Sequence, residues 1–159
     1  MSERAGEPRG TGRRFALVVS RFNGEITEEL LDGARAVLLE HGVAAEDIAV
    51  LRVPGAWELP LGAQTLAATS DVDAVIALGC VIRGETPHFD YVAAEAASGL
   101  QLAALETGVP VSFGVLTTDT REQAEARAGG ARGNKGAEAA RSALEMADVF
   151  GHLRARAGQ

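Results

Sequence analysis

Cysteine is almost missing from this chain: Cys80 is the only one in 159 residues. A single thiol excludes an intramolecular disulfide and any cysteine-rich metal site. The three histidines, His41, His88 and His152, stand far apart in sequence, so a histidine-based metal cluster is not expected. Lysine is as scarce, with Lys135 alone, and the formal net charge is −7. That balance speaks against sequence-independent nucleic-acid binding, which needs a basic face. No apolar run reaches the roughly 20 residues of a membrane helix. Residues 1–14 hold no apolar core of the kind a secretory leader carries, so a cytoplasmic protein with no membrane partner is expected. The dinucleotide fingerprint Gly-x-Gly-x-x-Gly does not follow the first apolar run, and there is no Gly-x-Ser-x-Gly elbow. Gly129 to Gly136 resembles a phosphate loop only faintly. Lys135 is followed by Gly136, with no Ser or Thr for Mg²⁺ and no strand leading in.

What is present points to an ordinary globular core. Hydrophobic residues make up 47% of the chain and charged ones 23%, as one domain of this length requires. Residues 1–13, rich in Gly and charge, read as a flexible tail before a single domain over 14–159. Phe15 to Ser20, Ile48 to Val53, Ala74 to Ile82 and Val111 to Leu116 are short apolar runs, as expected of strands buried on both faces. Between them, helical periodicity covers Ile26 to Leu38, Trp57 to Thr69 and the stretch after Pro87 as far as Thr107. His41-Gly42 and Gly108 are helix stops. Pro60 is tolerable only in a first turn, and Thr86-Pro87 reads as an N-cap followed by proline at the first helical position. Thr120 and Gln123 form a capping box opening a short helix to about Ala128. Gly129 to Gly133 is a loop, and Asn134 caps a last helix to about Arg154. Such alternation implies a parallel sheet with right-handed crossovers and helices on both faces.

Ligands in such sheets sit beyond the carboxyl ends of the strands. Four segments follow those ends: Arg21-Phe22-Asn23, Pro54 to Glu58, Arg83 to His88, and Thr117-Thr118-Asp119. His88 falls in the first turn of its helix, where the positive end of the dipole favours a neutral ring able to accept a proton. A solvated or packed histidine is the plainer alternative. Gly84-Glu85-Thr86 offers backbone N–H groups and a hydroxyl, a suitable cradle for phosphate, although Thr86 as a simple cap explains its presence equally well. Phe22 and Trp57 come from a chain with only 4% aromatic residues. Each reads first as core, and at a strand end each could also form the flat wall on which a heterocycle stacks. Phe113 reads as core. Glu58 suits a helix N-terminus or a polyol, and Arg127 and Lys135 read as solvated charges.

Five segments together resemble the signature blocks of the 6,7-dimethyl-8-ribityllumazine synthase family. They are Ser20 to Asn23, Val53 to Glu58, Gly79 to Tyr91, Gly114 to Thr118 and Gly133 to Gly136, in the family's order and spacing over about residues 14–152. The resemblance implies a flavodoxin-like, doubly wound αβα sandwich of three layers on a four-stranded parallel sheet. It implies a transferase at the penultimate step of riboflavin biosynthesis. That enzyme condenses 5-amino-6-(D-ribitylamino)uracil with 3,4-dihydroxy-2-butanone 4-phosphate to 6,7-dimethyl-8-ribityllumazine, releasing phosphate and water without metal or organic cofactor.

Carried onto this sequence, the resemblance makes Phe22 the stacking surface for the pyrimidine. Ala56, Trp57 and Glu58 contact the ribityl substrate, with Glu58 taking hydroxyls, and Cys80, Val81 and Ile82 line the ring pocket largely through backbone. Glu85 and Thr86 hold phosphate, Arg127 folded nearby gives its main positive charge, and Lys135 lies beside it. His88 transfers protons. Phe113 comes from a neighbouring subunit. Cys80 stands where Thr is frequent, Trp57 replaces a commoner smaller residue, and Ala131 replaces a basic residue of some members, with Arg132 next to it. The family also implies homopentamers with sites between subunits, sixty-subunit shells in some members, and riboflavin synthase as a candidate partner. From another class, a flavin-binding or shell-forming protein with lost or secondary catalysis is the alternative.

Overall fold

The computed structural model describes residues 2–158. Its centre is set by two runs that carry almost nothing but apolar side chains. Phe15–Ser20 (β1) is buried at every position, and Ala74–Ile82 (β3) is buried through Cys80. Strands hidden on both faces cannot alternate polar and apolar residues, which is why both read as continuous runs. Ile48–Val53 (β2) and Val111–Thr118 (β4) flank them, in the order β2-β1-β3-β4 with every neighbour parallel. The register pairs Phe15 with Ile48 and with Ala74, and Cys80 with Leu116. The edge strands are partly exposed.

Parallel neighbours need crossovers, and helices supply them. Gly24–Glu40 (α1), Leu59–Thr69 (α2), His88–Thr107 (α3), the short Arg121–Ala126 (α4) and Lys135–Ala157 (α5) complete the layers. Alternate side chains of one strand serve opposite cores. Phe15, Leu17 and Val19 pack with Leu30, Leu31 and Leu38 of α1 and with Ala140 and Leu144 of α5. Val18, Val75 and Ala77 instead meet Leu59 and Ala63 of α2 and Ala96 and Leu100 of α3. The expected αβα sandwich on a four-stranded parallel sheet is therefore what the chain forms.

Several local expectations hold. Gly42 and Gly108 sit at φ 95° and 71° beyond their helices, conformations that suit glycine. The Thr120–Gln123 capping box is complete, and the Asn134 side chain accepts from the Ala137 N–H at the start of α5. Others are corrected. The helix expected from Trp57 opens as a 3-10 turn, Ala56–Glu58, before α2 begins at Leu59, with Pro60 in the first turn. α3 begins at His88 with Pro87 at the cap position, and no side chain caps it, so Thr86 does not act as the N-cap. The short helix stops at Ala126 rather than near Ala128, and α5 continues past Arg154 to Ala157. The loop expected at Gly129 to Gly133 is a small antiparallel ribbon of Ala128–Gly130 (β5) and Gly133–Asn134 (β6). Gly129 and Gly133, at φ 104° and 81°, turn the chain tightly enough for the two to pair.

Ahead of β1, the Glu7 N–H donates to the buried Asp148 carboxylate at 3.0 Å, and the Arg13 guanidinium lies 3.1 Å from it. The Glu7 N–H, and then the Arg13 charge, hold that carboxyl below its usual range. The Gly10 N–H meets the His41 carbonyl at 2.9 Å.

Candidate active site

The carboxyl ends of β1, β2 and β3 open onto one cleft of about 750 Å³, within the usual size of a small-molecule site. Phe22 forms part of its rim because the β1–α1 turn is tied down on three sides. Its N–H donates to the Pro54 carbonyl at 3.0 Å, joining the turns that follow β1 and β2. The Asn23 amide donates to the Cys80 carbonyl at 2.9 Å, joining the turn to β3. The Thr27 hydroxyl closes onto the Ser20 carbonyl at 2.7 Å. Asn23 is the one non-glycine residue at positive φ among the described residues, at φ 58° and ψ 41°. Asparagine tolerates that left-handed geometry better than most residues.

With its backbone so held, the Phe22 ring stays 70% exposed, and Trp57 beyond β2 is 58% exposed. The core reading of both rings fails. Large aromatic faces left in water in a chain with so few aromatics mark a surface that something else covers. Glu58, beside them, is half-buried at the entry to α2, and its carboxylate makes no cap hydrogen bond. It is free to accept from hydroxyl donors.

The floor of the cleft is the end of β3. Cys80 is buried there, and Val81 and Ile82 are half-buried. Burial pushes the Cys80 thiol up to about 11, against a smaller downward pull from the Arg121 charge. The thiol is therefore protonated at neutral pH and is not set up as a nucleophile. Iodoacetamide is expected to label Cys80 only slowly in the native protein at pH 7.5 and readily after unfolding in urea. Rapid native labelling at that pH overturns the assignment. Because the folded value lies above that of the unfolded thiol, the contribution to stability is complete below the ordinary thiol range. It is lost as pH rises through it towards 11.

Beyond β3, Gly84, Thr86 and His88 line the cleft. The loop is exposed, and α3 begins on its far side with the unpaired N–H groups of any helix start. His88 is the first residue of that helix and is exposed, and its ring has no hydrogen-bond partner among the described residues. Tyr91 and Val92 continue the wall one turn later, and Phe89 also lines it. Sequence reasoning missed these three. Tyr91 and Val92 stand three and four residues after His88 and so share its helix face. That spacing was the available signal.

Of the residues singled out from the sequence, Phe22, Ala56, Trp57, Glu58, Cys80, Val81, Ile82, Thr86 and His88 come together in this cleft. Glu85, Phe113, Arg127 and Lys135 do not. Glu85, on the exposed loop, is not part of the lining, and Phe113 is 39% exposed on the edge strand β4. Lys135 opens α5, with its N–H on the Arg127 carbonyl. Arg127 lines a second cavity of about 340 Å³, with Arg83, Phe89 and Asp119. Its guanidinium donates to the Gln123 carbonyl at 2.9 Å. Arg127, expected to be folded near the phosphate loop, lines this neighbouring cavity of the same chain and not the first cleft. It follows α4 and lines a cavity that shares only Phe89 with the first.

Sequence comparison with known proteins shows what the chain as a whole is similar to. The sequence model of the 6,7-dimethyl-8-ribityllumazine synthase family matches residues 12–151. The protein named 6,7-dimethyl-8-ribityllumazine synthase in Gemmatimonas aurantiaca is 56% identical over 150 residues, covering 94% of this chain and 92% of its own. The protein of that name in Salinibacter ruber is 57% identical over 142 residues, with 89% and 91% covered. That of Aquifex aeolicus is 53% identical over 143 residues, with 90% and 93% covered.

Proposed function

Because this chain belongs to the 6,7-dimethyl-8-ribityllumazine synthase family, we propose that the cleft beyond β1, β2 and β3 is where it carries out that family's reaction. The chain is a lumazine synthase, a transferase of riboflavin biosynthesis acting on small-molecule substrates. The observation that carries the assignment of the site is the pairing of bare aromatic faces, Phe22 and Trp57, with His88 across one open cleft.

In this reading the pyrimidine of the ribitylaminouracil stacks on Phe22 above the Cys80–Ile82 floor, and the ribityl chain runs past Ala56 and Trp57 to the Glu58 carboxylate. The butanone phosphate sits at the Gly84–Thr86 loop, where Thr86 supplies a hydroxyl and Glu85 only its backbone. Imine formation, phosphate elimination and ring closure are then largely proton movements between two reactive partners. Holding them in register supplies much of the acceleration. His88, beside the loop, takes and returns the protons.

The phosphate needs a cation, and the cleft contains none of its own. We assign that role to Arg127 of a neighbouring subunit, with Phe113 and Lys135 reaching the site from the same side. The exposed edge position of Phe113 and the placement of Arg127 outside the first cleft support a homo-oligomer, and the family reading makes it a pentamer with sites between subunits. Assembly of pentamers into a shell, cytoplasmic residence and riboflavin synthase as a partner belong to the same reading. The alternative of a flavin-binding or shell protein without catalysis finds no support in relatives that carry the enzyme's name.

Mixing the purified protein with both substrates is expected to give lumazine fluorescence well above the uncatalysed rate. Flavin binding without any product would overturn the reading.

A further inference from the structure

We propose that Arg83 is a positioning residue for the phosphate end of the site, bracing the β3–α3 loop and the first turn of α3 against the end of β4. The inference rests on the functional reading above. Arg83 does not line the cleft, so it acts through its neighbours.

Its backbone N–H donates to the Thr118 carbonyl at 2.9 Å, fixing the root of the loop to β4. From there the guanidinium reaches two carboxylates. Nε donates to Asp119, just past β4, at 2.8 Å, and Nη1 to Asp90 in the first turn of α3 at 3.3 Å. Its flat face lies 4.4 Å from the centre of the Phe89 ring, next to His88 in sequence. Two consecutive positions of α3, Phe89 and Asp90, directly after His88, are thus referenced to β4 through one planar group.

The loop has little else to hold it. A side chain at Gly84 would meet nothing within 4 Å, and Gly84 to His88 are all exposed. A guanidinium suits the task because its donors point in fixed directions and its plane stacks on an aromatic ring, whereas an ammonium is a single point charge. Exposed ion pairs of this kind add little to folding stability. The consequence of losing them is therefore local, in where the loop and His88 stand.

The test is steady-state kinetics on the assembled protein. Arg83→Gln is expected to lower kcat about tenfold, because a misplacement of an ångström or less is enough for that. It should also raise KM for the butanone phosphate several-fold, while KM for the ribitylaminouracil and the melting temperature stay at the wild-type values. Arg83→Lys, which keeps the charge without the second direction, should recover part of the loss. The double variant with Asp119→Asn should be no slower than Arg83→Gln alone. Wild-type kcat and KM values in Arg83→Gln overturn the proposal, as does a rise in both KM values together with a lowered melting temperature. An inert wild-type protein, measured in parallel, overturns instead the functional reading on which it rests.

Discussion

Replacing His88 with alanine is expected to slow lumazine formation by roughly 10- to 100-fold, at or below the bottom of the range usual for general acid–base catalysis. The restraint in that figure comes from the geometry. His88 is exposed and its ring is held by no partner among the described residues, so water can reach the same protons and do part of the work. The two substrates also react through intrinsically favourable condensation chemistry once they are held side by side, and Phe22, Trp57 and the β3 floor are untouched by the change. The fold should not notice, because an exposed side chain at a helix start buries no area worth counting. Thermal unfolding at the wild-type temperature together with a clear fall in kcat and little change in either KM is the expected pattern. Rates equal to those of the wild type would remove His88 from its proton-transfer role. A large rise in both KM values with kcat unchanged would make it a binding residue instead.

How far the sequence foretold this site depends on what each residue answers to. Strands β1 and β3 announce themselves because central parallel strands are buried on both faces, and every position of β1, and of β3 as far as Cys80, obeys that one constraint. The convergence of Phe22, Trp57 and His88 follows from topology alone, since the carboxyl ends of neighbouring parallel strands must lie side by side. The solvent exposure of Phe22 and Trp57 was less accessible. Composition and type both favour a core position for such rings, and only the tertiary placement of the turns after β1 and β2 leaves them bare. Arg127 and Lys135 were harder still. Both lie beyond β4, where a short helix and the β5–β6 ribbon redirect the chain. No local pattern says which cavity Arg127 comes to line. The Thr86 cap failed for a simpler reason. Pro87 can occupy either the cap position or the first helical position, and the structure uses the former.

Replacing Gly136 with alanine is expected to have the largest effect on stability, although alanine is intrinsically the better helix former by about 1 kcal/mol. Gly136 is buried in the first turn of α5, and a Cβ there would run into the backbone of Leu30 in α1, at its carbonyl group. A flexible side chain could swing aside, but a helical backbone cannot. The start of α5 must lift away instead. Lifting it strains the Asn134 amide, which donates to the Glu29 carbonyl at 3.0 Å and whose oxygen caps the Ala137 N–H at 3.0 Å. It also loosens the line of small buried residues, Ala139, Ala140 and Ala143, that lets α5 lie close against the core. Overpacking of this kind costs about 3 kcal/mol or somewhat more, so the propensity gain is outweighed and roughly 2 kcal/mol is lost. For a chain of this size that corresponds to a fall of about 4–8 °C in melting temperature. Gly24→Ala is the matched control. Gly24 is also the start of a helix, α1, but a Cβ there meets nothing within 4 Å, so its stability should be unchanged or slightly raised. Both should be measured at one protein concentration, because assembly shifts apparent stability. Equal melting temperatures for the two variants would mean that α5 has room to move that the packing against Leu30 does not allow.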